Sequence, residues 1–271
     1  MRARLREHRS GRRPARPELL VGVHPVREAL RAGRRSLDAL LVRAQSRTPR
    51  PELGELLAMA REIGVRTVEL EPDRFDRLVP PDVRHQGVAL EAGPLPDVEL
   101  ASLAGTDATG WIVALDGVED PRNLGAVLRI AEAAGARGAL LPDRRSAPLS
   151  PVVARASAGA LEHLPIASVP NLVRALEELK TDHGYWVHAA APEADRDLFE
   201  LPDRLLEGRL VLVLGAEGRG LRPGVRTAVD VFVRIPMAGS VASLNVSAAA
   251  AVVLFEWSRR ARARSRAAAR G

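Results

Sequence analysis

Three clusters in the second half of the chain hold the side chains best suited to chemistry. The first is Asn123-x-Gly125-x-x-x-Arg129. Its two polar members are six residues apart, so on a straight helix they do not share a face. Gly125 between them removes side-chain bulk where something comes close. The second cluster is Gly215-x-Glu217-x-x-Gly220, a glycine-rich turn carrying one carboxylate. Such a turn after a strand can cradle phosphate, but it lacks the Lys-Ser/Thr of a P-loop and does not match the dinucleotide fingerprint. The third spans 235–247, where Ser243, Asn245 and Ser247 interrupt an apolar run behind Ile235-Pro236-Met237 and Gly239. Ser243 or Asn245 suits the N-cap of the alanine-rich helix that follows. That leaves free backbone donors where an anion or nucleoside can sit. With no Cys in the chain there is no thiol nucleophile and no Cys-based zinc site. No acidic ligand cluster is apparent, and no metal is expected. Taken singly, each cluster is also an ordinary surface helix, turn or cap.

The elements around these clusters alternate. Residues 111–257 read as a parallel sheet covered on both faces, because the strands are near-continuous apolar runs separated by helices. Trp111–Leu115, Ala139–Leu141, Pro165–Val169, Tyr185–Ala190, Leu210–Leu214 and Val229–Ile235 are its expected strands. Asp120-Pro121 starts the helix that bears the first cluster, and Gly135 ends it. The three clusters thus fall beyond the carboxyl ends of strands, where open α/β sheets bind ligands. Residues 18–92 read as a smaller α/β unit, with His85-Gln86-Gly87 at its last turn. His85 has no second His at ligand spacing, so a turn histidine bonding backbone or RNA is expected. Glycines and prolines punctuate 93–110, as in an interdomain linker.

Charge is unevenly placed. Residues 1–17 carry seven arginines against Glu7, and 258–271 carry six with no acid. These two basic tails hold +12, so residues 18–257 hold −6 of the net +6. Arg-rich ends suit a polyanion such as RNA, since the guanidinium fork matches phosphate. No apolar stretch reaches the roughly 18–20 residues that span a membrane, and the first residues lack the apolar core of a secretory signal. A cytoplasmic protein is expected.

The three clusters together resemble the motifs of the SpoU/TrmH group of RNA ribose 2′-O-methyltransferases in the SPOUT superfamily. Asn123 to Arg129 looks like the first motif, and Gly215-x-Glu217-x-x-Gly220-Leu221 like the second. Ile235-Pro236-Met237-x-Gly239 with Ser243-Leu244-Asn245-Val246-Ser247 looks like the third. The N-terminal unit, with Val23-His24-Pro25 and His85-Gln86-Gly87-Val88, resembles the L30e-like RNA-binding domain of RlmB-type ribosomal RNA enzymes. The resemblance implies an α/β methyltransferase domain with a deep trefoil knot, S-adenosylmethionine held among the knotted loops, and a homodimer. By position it implies that Leu214, Gly215, Ile235, Met237 and Leu244 hold the cofactor. It implies that Arg129 stabilises the charge developing on the ribose oxygen, with Asn123, Glu217, Ser243 and Asn245 as positioning groups. A guanosine of 23S ribosomal RNA is the implied target. Transfer RNA, or a non-catalytic RNA-binding role, are the alternatives. Phe255 departs from the family's frequent Tyr, and the Arg-rich tails match no motif.

Overall fold

The computed structural model describes residues 17–44, 51–81 and 83–268. The N-terminal unit runs β1 (Glu18–Val21), α1 (Val23–Ala32), β2 (Leu37–Arg43), α2 (Pro51–Glu62), β3 (Arg66–Leu70), α3 (Pro72–Leu78) and β4 (Val88–Ala92). Its strands form a sheet in the order β1-β4-β2-β3, with only β2 and β3 parallel. The turn before β4 is held by its own side chains. His85 Nδ1 accepts from Gly87 N at 3.0 Å, and Gln86 Oε1 accepts from Val23 N at 3.3 Å at the start of α1.

After α4 (Leu100–Ala104) the second unit runs β5 (Gly110–Asp116), α5 (Pro121–Ala134), β6 (Gly138–Pro142), α6 (Pro151–Ala156), α7 (Ala160–His163) and β7 (Ile166–Val169). It continues with α8 (Leu172–Thr181), β8 (Tyr185–Ala190), β9 (Arg209–Gly215), α9 (Pro223–Arg226), β10 (Val231–Val233) and α10 (Val246–Ala268). All its strand pairs are parallel, in the order β10-β8-β9-β5-β6-β7. Both faces are covered. Val113, Leu115, Leu212 and Leu214 pack on the α5/α10 side, and Ile112, Ala114, Val211 and Val213 on the α8 side. This alternation explains why the strands read as continuous apolar runs.

Three features depart from the sequence reading. The 93–110 stretch contains α4, whose Leu103 and Ala104 are buried against the second sheet, and Tyr185 Oη donates to Ala104 O at 2.8 Å. The strand expected over 229–235 is shortened to β10, because Arg234 leaves the sheet to bridge Asp197. The last helix does not stop at Trp257 but continues through Ala268, so 258–268 is no tail. Arg260 explains the extension. Its guanidinium is nearly buried, bonded to Glu256 and to the carbonyls of Leu198, Phe199 and Leu201. The first basic run, residues 1–16, lies outside the described residues.

The two units share one apolar core, which joins Leu20, Val26 and Leu90 to Leu124, Val153 and Leu161. Arg35 is buried at the seam, donating to Glu162 at 2.8 Å, to Glu18 at 2.6 Å and to Gly93 O at 3.1 Å. Burial pushes the Glu162 carboxyl up, against the opposing pull of Arg35. Among the described residues no helix is long and apolar enough to cross a membrane.

Candidate functional site

The carboxyl ends of β5 and β9 lie side by side, with Asp116 opposite Gly215 in the ladder. The turn after β9 doubles back tightly. Gly220 N donates to Ala216 O at 2.9 Å, and a Cβ on Gly215 would lie 2.4 Å from the carbonyl carbon of Gly220. Gly218 and Gly220 take positive φ of 73° and 62°, which side chains resist. Asp116 fastens this turn from below. Fully buried, it accepts from Arg222 N at 2.8 Å and from Arg222 Nε at 2.5 Å.

On the first strand's other side, Asp120 caps α5 by accepting from Arg122 N at 2.7 Å, with Pro121 at the first helical position. Gly125 is needed for helix packing. A Cβ there would meet Ala156 Cβ at 2.5 Å and Val153 O at 2.9 Å on α6. The first turn of α5 is thereby set beside the glycine turn, and Asn123 Nδ2 reaches Glu217 Oε1 at 3.1 Å.

Asn245 completes the cluster. Its Oδ1 accepts from Ser247 N at 2.9 Å, so Asn245 rather than Ser243 caps α10. Its Nδ2 donates to Asn123 Oδ1 at 3.0 Å and also to Glu217 Oε1. Glu217 Oε1 further accepts from Val246 N at 3.4 Å. One carboxylate oxygen therefore gathers the starts of α5 and α10 at the glycine turn, three segments distant in sequence.

Two cavities flank this cluster. One, of about 640 Å³, is lined by Leu214, Gly215, Ile235, Met237 and Leu244, together with Ser243 and Asn245. The other, of about 730 Å³, is lined by Asn123, Glu119, Arg145 and Arg219 among others. Glu217 borders both. The size and mixed apolar and backbone lining of the first suit a nucleoside-sized ligand.

The structure thus brings Asn123, Glu217 and Asn245 into direct contact and sets Ser243 nearby in the exposed loop before α10. All five positions expected to hold a cofactor line one cavity. Arg129 stands apart on the exposed side of α5, borders neither cavity, and has no ion pair among the described residues. The sequence reading missed the Asp116–Arg222 brace and Arg145. Asp116 ends an apolar strand, which signals a ligand-binding edge, but its partner lies 106 residues on. Arg145 sits after β6 with a φ of 62°, which no sequence pattern announces. Among the described residues no three His, Asp or Glu side chains gather to hold a metal ion.

Comparison with known proteins gives two family matches. Residues 110–255 match the SpoU rRNA methylase family, and 19–98 match the RNA 2′-O ribose methyltransferase substrate-binding family. The chain is 41% identical over 244 residues to the 23S rRNA (guanosine-2′-O-)-methyltransferase RlmB of Ralstonia nicotianae, covering 89% of this chain and 95% of the relative. To the enzyme of the same name from Pseudomonas putida it is 40% identical over 243 residues, covering 88% and 95%. It also resembles the crystal structure of the SpoU methyltransferase AviRb of Streptomyces viridochromogenes in complex with the cofactor AdoMet. There the TM-score is 0.76 with 28% identity, and 90% of each chain is covered.

Proposed function

The chain belongs to the SpoU rRNA methylase family and is an S-adenosylmethionine-dependent RNA ribose 2′-O-methyltransferase, and we propose that its target is a guanosine of 23S ribosomal RNA. The target assignment is supported by the activity for which two relatives are named, each matching close to nine-tenths of this chain. The observation that carries the site assignment is the cavity over Leu214, Gly215, Ile235, Met237 and Leu244, with the Asn123–Glu217–Asn245 cluster at its rim.

S-adenosylmethionine, when bound, supplies an activated sulfonium methyl group. Leu214, Ile235 and Leu244 would give its adenine apolar walls, and Gly215 keeps the turn closed because a side chain there would strike Gly220. The ribose hydroxyl is a poor nucleophile, so negative charge developing on its oxygen needs a preorganised partner. Arg129 fills that role as a guanidinium cation, a stabiliser rather than a base. Asn123, Glu217, Ser243 and Asn245 act as positioning groups for the ribose. In the single chain Arg129 lines neither cavity, and we assign its approach to the reacting hydroxyl to a homodimer. The dimer is supported by apolar residues left exposed on one side of α10, Ala248 and the half-exposed Phe255, beside the partly buried Val252.

We also assign a trefoil knot to the C-terminal domain and an L30e-like fold to the N-terminal one. In support of the knot, 191–201 lies against the exit of β10, where Ala191 N donates to Val233 O and Leu198 N to Arg234 O. Residues beyond it on α10 then bind its carbonyls through Arg260. With ribosomal RNA as substrate, the enzyme works in the cytoplasm.

Incubating the purified protein with labelled S-adenosylmethionine and transcribed 23S rRNA or bulk transfer RNA tests the target. Label in 23S rRNA as 2′-O-methylguanosine is expected. Label confined to transfer RNA would overturn the target, and cofactor binding without transfer to any RNA would point to a non-catalytic role.

A further inference from the structure

We propose that the second cavity receives the target nucleotide and that Arg145 holds the phosphodiester beside it. The inference rests on the methyltransferase reading above. The two cavities divide the polar cluster between them. Ser243 and Asn245 line only the first, Asn123 lines only the second, and Glu217 borders both. With the cofactor in the first cavity, the second is the neighbouring space, separated from it by a shared wall of Ala216, Glu217, Arg219 and Gly220. At about 730 Å³ that cavity has room for a nucleotide extruded from its stack.

A nucleotide brings at least one phosphate, and the cavity offers three arginines: Arg145, Arg219 and Arg222. Arg222 is committed to the buried Asp116. Arg219 sits on the wall shared with the first cavity. Arg145 lines the second cavity alone, and its guanidinium has no hydrogen-bond or carboxylate partner among the described residues. The backbone beneath it is tied at both ends. Asp143 N donates to Val169 O at 2.9 Å and Ala147 N donates to Val118 O at 3.0 Å, so both ends of the turn are pinned. Between these ties Arg145 takes a φ of 62°, a conformation that costs a bulky residue energy and persists where the surroundings impose it. A guanidinium that lines the cavity and has no partner among the described residues suits an incoming phosphodiester, which a planar fork binds through two parallel bonds.

The test uses Arg145→Gly and Arg145→Lys in the full chain. Glycine accepts the positive φ, so Arg145→Gly removes the guanidinium while relaxing the backbone. Methyl transfer to transcribed 23S rRNA, RNA binding against salt, and S-adenosylmethionine affinity are measured together. For Arg145→Gly the KM for RNA rises about 10- to 100-fold, the loss of one charge-assisted contact. The log–log salt slope of RNA binding falls by roughly 0.7–0.9. Cofactor affinity and thermal stability hold, and Arg145→Lys recovers part of the RNA affinity. An unchanged KM and salt slope in Arg145→Gly overturns the proposal, as does a loss of cofactor affinity in its place. If the unaltered protein methylates no RNA, the methyltransferase reading fails, and the salt slope still decides whether Arg145 contacts phosphate.

Discussion

Replacing Asn245 with Asp separates the two tasks that this residue performs. Its Oδ1 caps α10 through Ser247 N at 2.9 Å, and its Nδ2 donates to Asn123 and to Glu217. Asp caps a helix as well as Asn does, and a negative charge at a helix start adds roughly 0.3–1 kcal/mol. The same change sets a second carboxylate against Glu217 Oε1. At about 4 Å, like charges repel by about 1 kcal/mol in water and about 4 kcal/mol at an effective dielectric near 20. Both side chains are exposed in the free chain, so the lower figure governs folding. It is close to the gain at the cap, so Asn245→Asp unfolds in urea within about 1 kcal/mol of the original protein. Bound RNA and cofactor exclude water, which moves the repulsion toward the higher figure. Loss of the donor also frees Glu217 and Asn123 to turn. The single-turnover rate of methyl transfer therefore falls about 10²–10³-fold, the usual cost of one preorganised group. Asn245→Ala gives the contrasting result, losing about 1 kcal/mol of stability with the cap and a similar factor in rate. Full activity in Asn245→Asp would refute the reasoning, because the Glu217 contact would then be irrelevant to chemistry.

Arg129→Ala lowers methyl transfer about 10²–10³-fold while leaving S-adenosylmethionine affinity within twofold by calorimetry, since this side chain borders neither cavity; near-normal turnover removes it from the site. Phe255→Glu places a charge on the exposed apolar side of α10, and sedimentation is expected to show a folded, inactive monomer, in contrast to the dimer proposed for the unaltered protein. Ala250 would not serve for this test, because it is fully buried within its own chain. His188 is buried against Trp257, and burial, partly offset by Asp230, pulls its pKa from 6.5 down to about 4. The folded state holds it neutral, so its full stability is present above pH 6.5. About 3 kcal/mol is lost as the pH falls from there toward 4. Urea unfolding across that window shows the slope, and His188→Phe flattens it.

The strands and helices around the site were legible because glycine, proline and apolar runs mark them locally. Pro121 behind Asp120 begins α5, and the run Leu210–Leu214 has the continuous apolar character of a central parallel strand. The site itself was legible only through resemblance. Asn123 and Glu217 are 94 residues apart and meet because β5 and β9 are neighbours in the sheet, a pairing that periodicity does not encode. Arg260 shows the opposite failure. An arginine-rich end looks like a solvated tail, yet its partners are carbonyls some 60 residues upstream that become available only in the folded chain. The short α4 escaped notice for a related reason, since five residues hold too little pattern and its burial comes from the sheet it packs on.

Mapping ribose 2′-O-methyl groups along 23S rRNA, from cells with and without this protein, tests the central claim most directly. One guanosine that carries the 2′-O-methyl group only when the protein is present, and regains it in vitro on adding purified protein with S-adenosylmethionine, is the predicted result. Identical 2′-O-methyl maps in the two rRNA preparations, with no transfer by the purified protein, would contradict it.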